Sequence, residues 1–272
     1  MTVDDLQGRT AFITGGGQGI GLGIATALAK RGVRVALADI DEQALSSAAE
    51  RLRQVSKVET FVLDVCDRVA YEQVAREVEA TLGPVSILCN NAGVAGGLHV
   101  STVAVEQWDW VIGVNLTGVF NGVLHFVPSM IERRDGHIVN TASVAGLVAG
   151  GGGAGWLYHT SKFGVVGMSE ALRAELEPFG VGVSVLCPGR VATDILANTA
   201  RRRPDGTPEP LTDASGFNAS WIGPWLAGGL PPDDVGELVA DGVVGNRPYI
   251  LTDGSVADGL LARTEAILAA ID

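Results

Sequence analysis

The sequence predicts an α/β fold: one doubly wound parallel sheet in a single domain covering residues 1–272. Two features carry this prediction. Short runs rich in β-branched residues alternate with longer segments of helical period. Those short runs are apolar almost without interruption, which is how strands read when helices cover both faces of their sheet. Right-handed β-α-β crossovers wind such strands into one parallel sheet.

In chain order, residues 10–14 read as the first strand, and a glycine-rich turn leads into a helix over 19–31. A strand over 33–39 ends in Asp39, and a helix over 41–55 follows. Next come a strand at 58–63, a helix at 68–82 and a strand at 85–90. A long helix over 105–133 precedes a strand at 137–141, a helix at 157–179 and a strand at 181–187. Residues 248–251 form a last strand and 256–271 a closing helix. Two stretches break the rhythm. Residues 146–156 hold a run of glycine and alanine and read as a mobile loop. Residues 193–232 carry six prolines with Trp221 and Trp225, and read as a substrate-binding excursion out of the sheet.

A chain of 272 residues can fill one sizeable core. With 47% hydrophobic and 18% charged residues it is globular, and its 37 glycines follow no collagen-like period. A formal charge of −12 repels phosphate backbones and anionic lipid, so nucleic acid and membrane surfaces are poor partners. Cys66, Cys89 and Cys187 lack the spacing of a metal or disulfide framework, so no metal site is expected. Residues 1–8 are polar and acidic with no apolar signal core, and no apolar run reaches bilayer length. The expectation is a cytoplasmic, reduced protein.

The first turn carries chemistry. Gly15, Gly19 and Gly21 follow G-x-x-x-G-x-G, with Gln18 and Ile20 between them. No Lys-Ser/Thr follows, which excludes a P-loop. Between a strand and a helix, such a turn aims backbone N–H groups and a helix N-terminus at a pyrophosphate. Asp39 lies 18 residues beyond Gly21. A carboxylate there accepts hydrogen bonds from the adenosine ribose hydroxyls and repels a 2′-phosphate. With no Arg or Lys at Ile40 or Asp41, NAD is favoured over NADP.

Tyr158 and Lys162 are four apart on a helix, on one face, after the strand at 137–141 and Ser143. With these residues the chain resembles the short-chain dehydrogenase/reductase family in its compact single-domain branch, which has a Rossmann-type fold. The matching pieces run in order: the glycine turn, Asp39, Asp64-Val65, Asn90-Asn91-Ala92-Gly93, Asn115, Ser143, Tyr158-x-x-x-Lys162, and Pro188-Gly189 followed by Thr193.

The resemblance implies hydride transfer between a nicotinamide and a carbon bearing oxygen, with Tyr158 as acid/base. A free tyrosine titrates near ~10, and the Lys162 ammonium with the positive nicotinamide is expected to bring it down. Lys162 also holds the nicotinamide ribose, Ser143 fixes the substrate oxygen, and Asn115 kinks the long helix and keeps a water that links Lys162 to solvent. Asp64 accepts from the adenine amino group while the Val65 backbone donates. Asn91, Ala92 and Gly93 line the adenine-ribose side. Pro188, Gly189, Val191 and Thr193 clasp the carboxamide. Asn90 is expected only to stitch neighbouring strands, and His159 is read as a spectator on another helix face.

The chain departs from the family in two places. Fourteen residues separate Ser143 from Tyr158, more than the family norm, and a different C-terminal segment over 247–254 leads into an added helix. The leading expectation is an NAD-dependent dehydrogenase or reductase of an uncharged, fairly hydrophobic secondary alcohol or ketone. Its substrate walls are expected at 94–100, 144–157, 195–196 and 217–226. The alternatives are a non-catalytic nucleotide sensor and an NAD-using epimerase or dehydratase. By analogy the long helices at 105–133 and 157–179 form the interface of a homodimer or homotetramer.

Overall fold

A computed structural model describes residues 5–96, 100, 104–150, 155–204 and 222–271. Its elements are β1 (Thr10–Thr14), α1 (Gly19–Lys30), β2 (Arg34–Asp39), α2 (Glu42–Leu52), β3 (Val58–Val62), α3 (Arg68–Leu82) and β4 (Ile87–Asn90). Then follow α4 (Val105–Ile112), a π turn (Gly113–Thr117), α5 (Gly118–Arg133), β5 (Gly136–Thr141), α6 (Gly155–Leu176) and β6 (Val181–Cys187). The chain closes with α7 (Ile195–Arg202), α8 (Ile222–Ala227), α9 (Pro232–Val244), β7 (Tyr249–Leu251) and α10 (Ala257–Leu268).

The seven strands form one sheet in the order β3-β2-β1-β4-β5-β6-β7, every neighbouring pair parallel. The order reverses between β1 and β4, so a crevice opens at their carboxyl ends, where ligands bind in doubly wound sheets. Both faces are covered. On one, Ile24 and Leu28 of α1, Leu45 of α2 and Val235 and Val239 of α9 meet Ile13, Leu37 and Val139 of the sheet. On the other, Tyr71 and Val78 of α3, Phe126 and Met130 of α5 and Leu176 of α6 meet Phe12, Leu88 and Ile138.

Helix α9 was not foreseen. Its start at Pro231-Pro232 reads in sequence as part of the proline-rich excursion, but proline is at home in the first turn of a helix. Helices α1 and α9 touch backbone to backbone: a Cβ on Gly23 would sit 2.0 Å from the Pro232 carbonyl oxygen, and one on Gly236 would sit 2.1 Å from that of Gly23.

The helix expected over 105–133 runs its full length through a π turn, whose extra residue per turn carries Asn115 inward. Two other expectations change. Residues 155 and 156, read as loop, belong to α6, and 151–154 lie outside the described residues. The stretch Val105–Arg133 is long and apolar enough to cross a membrane by length and composition, which corrects the expectation that no run is. Here it buries Phe126 and Met130 against the sheet and α3, and Val119 against Val165 and Val166 of α6.

His137 of β5 is fully buried. Its Nε2 lies 2.8 Å from Ser184 Oγ, and that hydroxyl donates its own proton to the Arg247 carbonyl. The Ser184 oxygen therefore accepts, which puts the imidazole proton on Nε2. Burial, helped by Arg173, pushes His137 down to about 3 from 6.5. A base whose folded value is depressed stabilises the fold fully above its unfolded value and less at every pH below it. Melting temperature should therefore fall as pH drops from 6.5 toward 3, with His137 contributing about 1.4 kcal/mol per pH unit. Thermal melts of His137→Gln should show a shallower acid slope, and an identical slope would refute the assignment.

Candidate active site

The turn between β1 and α1 is shaped by Gly15 (φ +63°) and Gly19 (φ +54°), in a region that favours glycine. Gly21 does not face the crevice. A Cβ there would lie 2.1 Å from the Gly15 carbonyl oxygen, so Gly21 serves by letting the turn close on the helix. No side chain caps α1 and no acid occupies its first turn, which leaves its N-terminus open to an anion.

Two side chains brace this turn. Asp39, buried at the end of β2, accepts from Gly17 N (3.1 Å) and from Asp41 N (3.0 Å). Just past β4, the Asn91 amide donates to the carbonyls of Thr14 (3.0 Å) and Gly15 (3.3 Å). Thr14 Oγ1 in return accepts from the backbone of Asn91 (2.9 Å) and Ala92 (3.1 Å). Asn90 turns the other way and donates to Asn140 Oδ1 on β5 (2.9 Å), the stitch expected of it. Asp64 is exposed and accepts from Cys66 N (2.9 Å), while the Val65 carbonyl is held by Asn121 (2.8 Å).

At the other end stand Ser143, Tyr158 and Lys162. Ser143 heads a short turn, its Oγ accepting from Ala145 N (3.1 Å). His159, read as a spectator, hydrogen-bonds the Ala145 carbonyl (2.8 Å) and ties this turn to α6. Tyr158 and Ser143 line the same groove. Lys162 is buried one turn further along, donates to the Thr141 carbonyl (2.9 Å) and holds its ammonium 5.6 Å from the centre of the Tyr158 ring. Burial pulls Lys162 down to about 8. Burial raises the Tyr158 phenol above its ordinary value, and Ser143 draws it partly back.

Asn115, expected at a kink of the long helix, stands in the π turn. It is buried, and its side chain pins Val94 by accepting from its N–H (2.8 Å) and donating to its carbonyl (3.0 Å), with a further bond to Ser161 Oγ (3.0 Å). After β6, Gly189 N donates to Thr252 (2.8 Å), Val191 bridges to Leu230, and Thr193 lies over Gly19.

Together these residues enclose one continuous groove of about 600 Å³. Ser143, Tyr158, Lys162, Gly15, Gln18, Gly19, Ile20, Asp39, Ile40, Asp64, Val65, Asn91, Ala92, Gly93, Pro188, Gly189, Val191 and Thr193 all line it; Gly21 and Asn115 do not. Trp110, Val114, Asn198 and Arg202 also line it and were not foreseen. Ile195, Asn198 and Arg202 fall on one face of α7, the helical stripe that could have marked them. Of the expected walls, Val94, Ile195 and Leu226 face the groove and Leu196 an adjoining cavity. None of the described residues of 144–157 lines it, and Leu157 is instead buried beside Val94 and Val111. Residues 97–99 and 217–221, with Trp221, and the side chain of Trp225 lie outside the described residues.

The family described as short chain dehydrogenase matches residues 9–204. The C alpha-dehydrogenase of Sphingobium sp. is 35% identical over 269 residues, which cover 97% of this chain and 87% of that protein. A short chain dehydrogenase/reductase from Burkholderia phymatum, solved in complex with NAD, superposes with a TM-score of 0.90 at 34% identity, covering 98% of this chain and 97% of that one. A metagenomic short-chain oxidoreductase in complex with NADP superposes with a TM-score of 0.71 at 27% identity, covering 90% of this chain and 97% of that one.

Keeping an ammonium in this site is costly to the fold. A lysine lowered from 10.5 to about 8 corresponds to about 3 kcal/mol at neutral pH, present below 8 and relieved as pH rises toward 10.5. Lys162→Met removes the charge but leaves the Thr141 carbonyl without its donor, a loss of about 1–3 kcal/mol. The variant should be more stable by about 1 kcal/mol at pH 7, a rise of about 2–4 °C in Tm. That gain should shrink above pH 8. A lower Tm than wild type at pH 7 would contradict this balance.

Proposed function

The chain belongs to the short chain dehydrogenase family, and from that premise we propose an NAD-dependent oxidoreductase that interconverts an uncharged, fairly hydrophobic secondary alcohol and its ketone. The observation that carries this reading is the meeting of Ser143, Tyr158 and the buried Lys162 on the wall of one groove, with the lysine ammonium 5.6 Å from the tyrosine ring centre. When bound, the nicotinamide supplies or accepts the hydride. Tyr158 then takes the proton of the alcohol oxygen, or returns it to the ketone oxygen, while Ser143 holds that oxygen in place and stabilises charge developing on it. Lys162, anchored on Thr141, is placed to favour the phenolate and to hold a ribose hydroxyl.

Support for NAD comes from Asp39, which lines the groove at the end of β2, and from the NAD-bound relative, although another relative binds NADP. Support for an apolar substrate comes from Val94, Trp110, Val114, Ile195 and Leu226 on the walls. Among the described lining residues, Lys162 and Arg202 are the only lysine and arginine. A sensor would have no need of the Ser143–Tyr158–Lys162 arrangement, which favours catalysis. Tyr158→Phe should lower turnover of secondary alcohols with NAD⁺ by about 10²–10⁴-fold, followed by absorbance at the NADH band, and leave NADH affinity by fluorescence within about threefold. Full activity in that variant would sink the mechanism.

The assembly we propose is a homodimer or homotetramer built on α5 and α6. Its support is exposed apolar surface: Phe120 and Leu124 on α5, and Trp108 stacked on Trp156 of α6 with ring centres 5.8 Å apart. Light scattering should give a multiple of the 28.1 kDa chain mass, and a monomer at assay concentration would refute it.

A further inference from the structure

The β2 end of the groove holds charges that the family motifs do not account for. Asp41 caps α2 with one carboxylate oxygen, which accepts from Ala44 N at 3.0 Å. Its other oxygen accepts from Arg202 Nη2 at 2.9 Å, a contact between residues 161 apart in sequence. Both side chains are half-buried, at 26% and 32% exposure, so the pair is less screened than an open surface one. Arg202 also lines the groove itself, together with Asp39 and Ile40. The orientation of α7 is held independently: Thr199 Oγ1 accepts from Ala95 N (2.8 Å). A guanidinium from a distant part of the chain is thus delivered to the place where the adenosine ribose would lie.

We propose that Arg202 is a cofactor-specificity residue, a ready-made receptor for a ribose 2′-phosphate that Asp41 keeps neutralised. Its planar fork suits phosphate oxygens. While Asp41 occupies that fork, two carboxylates against one guanidinium leave the ribose end with a net negative charge, which selects a free 2′-hydroxyl. Removing the Asp41 charge balances Asp39 and frees the guanidinium. The inference rests on the reading of the groove as a dinucleotide site that prefers NAD.

The test compares NADH and NADPH binding by fluorescence in wild type, Asp41→Asn, Arg202→Gln and the double variant. Asparagine caps a helix as well as aspartate, so α2 keeps its start. Asp41→Ser, a second uncharged cap, is read the same way should the asparagine variant fold poorly. Asp41→Asn should tighten NADPH binding about tenfold, with NADH within about threefold, and adding Arg202→Gln should erase the gain. Unchanged NADPH affinity in a folded Asp41 variant would overturn the proposal. So would a gain that survives in the double variant, since it would then come from lost repulsion alone. Wild-type preference for NADPH would instead overturn the NAD reading, which the variant comparison does not test.

Discussion

The structure depends on how the turn after β1 is held. Backbone amides can face an anion only if the turn is fixed in advance, because a free glycine-rich segment would lose too much conformational entropy on binding. Asp39 at the end of β2 and Asn91 just past β4 grip the turn from the side of its two neighbouring strands, and Thr14 completes the brace from within β1. The sheet order thus does chemical work. It places the donor and acceptor strands on either side of the loop, at the point where the winding reverses. Asp39 is engaged twice by backbone amides, so its carboxylate is part of the scaffold as well as of the groove wall.

Much of this was legible in the sequence because local signals and the fold agree. Helix α3 begins and ends where it was expected: Asp67 caps it through Val69 N and Ala70 N, and Gly83 at φ +84° stops it. β1 and β6 likewise match, as apolar runs between turn residues. Tyr158 and Lys162 could be paired because four residues is nearly one turn. What escaped has a faint local signature or none. Only the stripe along α7 marks Arg202, Trp110 reaches the groove through tertiary packing, and α9 hides behind two prolines that read as loop but begin a helix. Gly21 also makes room for the Gly15 carbonyl and Asn115 also ties down the loop after β4, and neither contact shows in a motif.

The catalytic end stands on conflicting demands. Enclosure that would exclude water from a hydride transfer also disfavours both charged forms that the proposed chemistry uses, the Lys162 ammonium and the Tyr158 phenolate. Each is offset by one specific partner, the Thr141 carbonyl for the lysine and Ser143 for the phenol. Behind them Asn115 and His159 immobilise the loops that carry Val94 and Ala145, so the conflict is held in rigid surroundings rather than relaxed by movement.

The bridge between Val191 and Leu230 has an evolutionary consequence. It brings the two feet of the excursion together, and α9 then anchors the downstream foot to α1 through touching glycine backbones. Once the ends of a loop are pinned, doubling its length adds only about 0.6 kcal/mol of closure entropy. The part of it between α7 and α8 is therefore free to lengthen, shorten or be exchanged while the glycine turn and the tyrosine stay where they are. A lineage can explore new substrates by rewriting this one segment, with the sheet serving as an unchanging chassis.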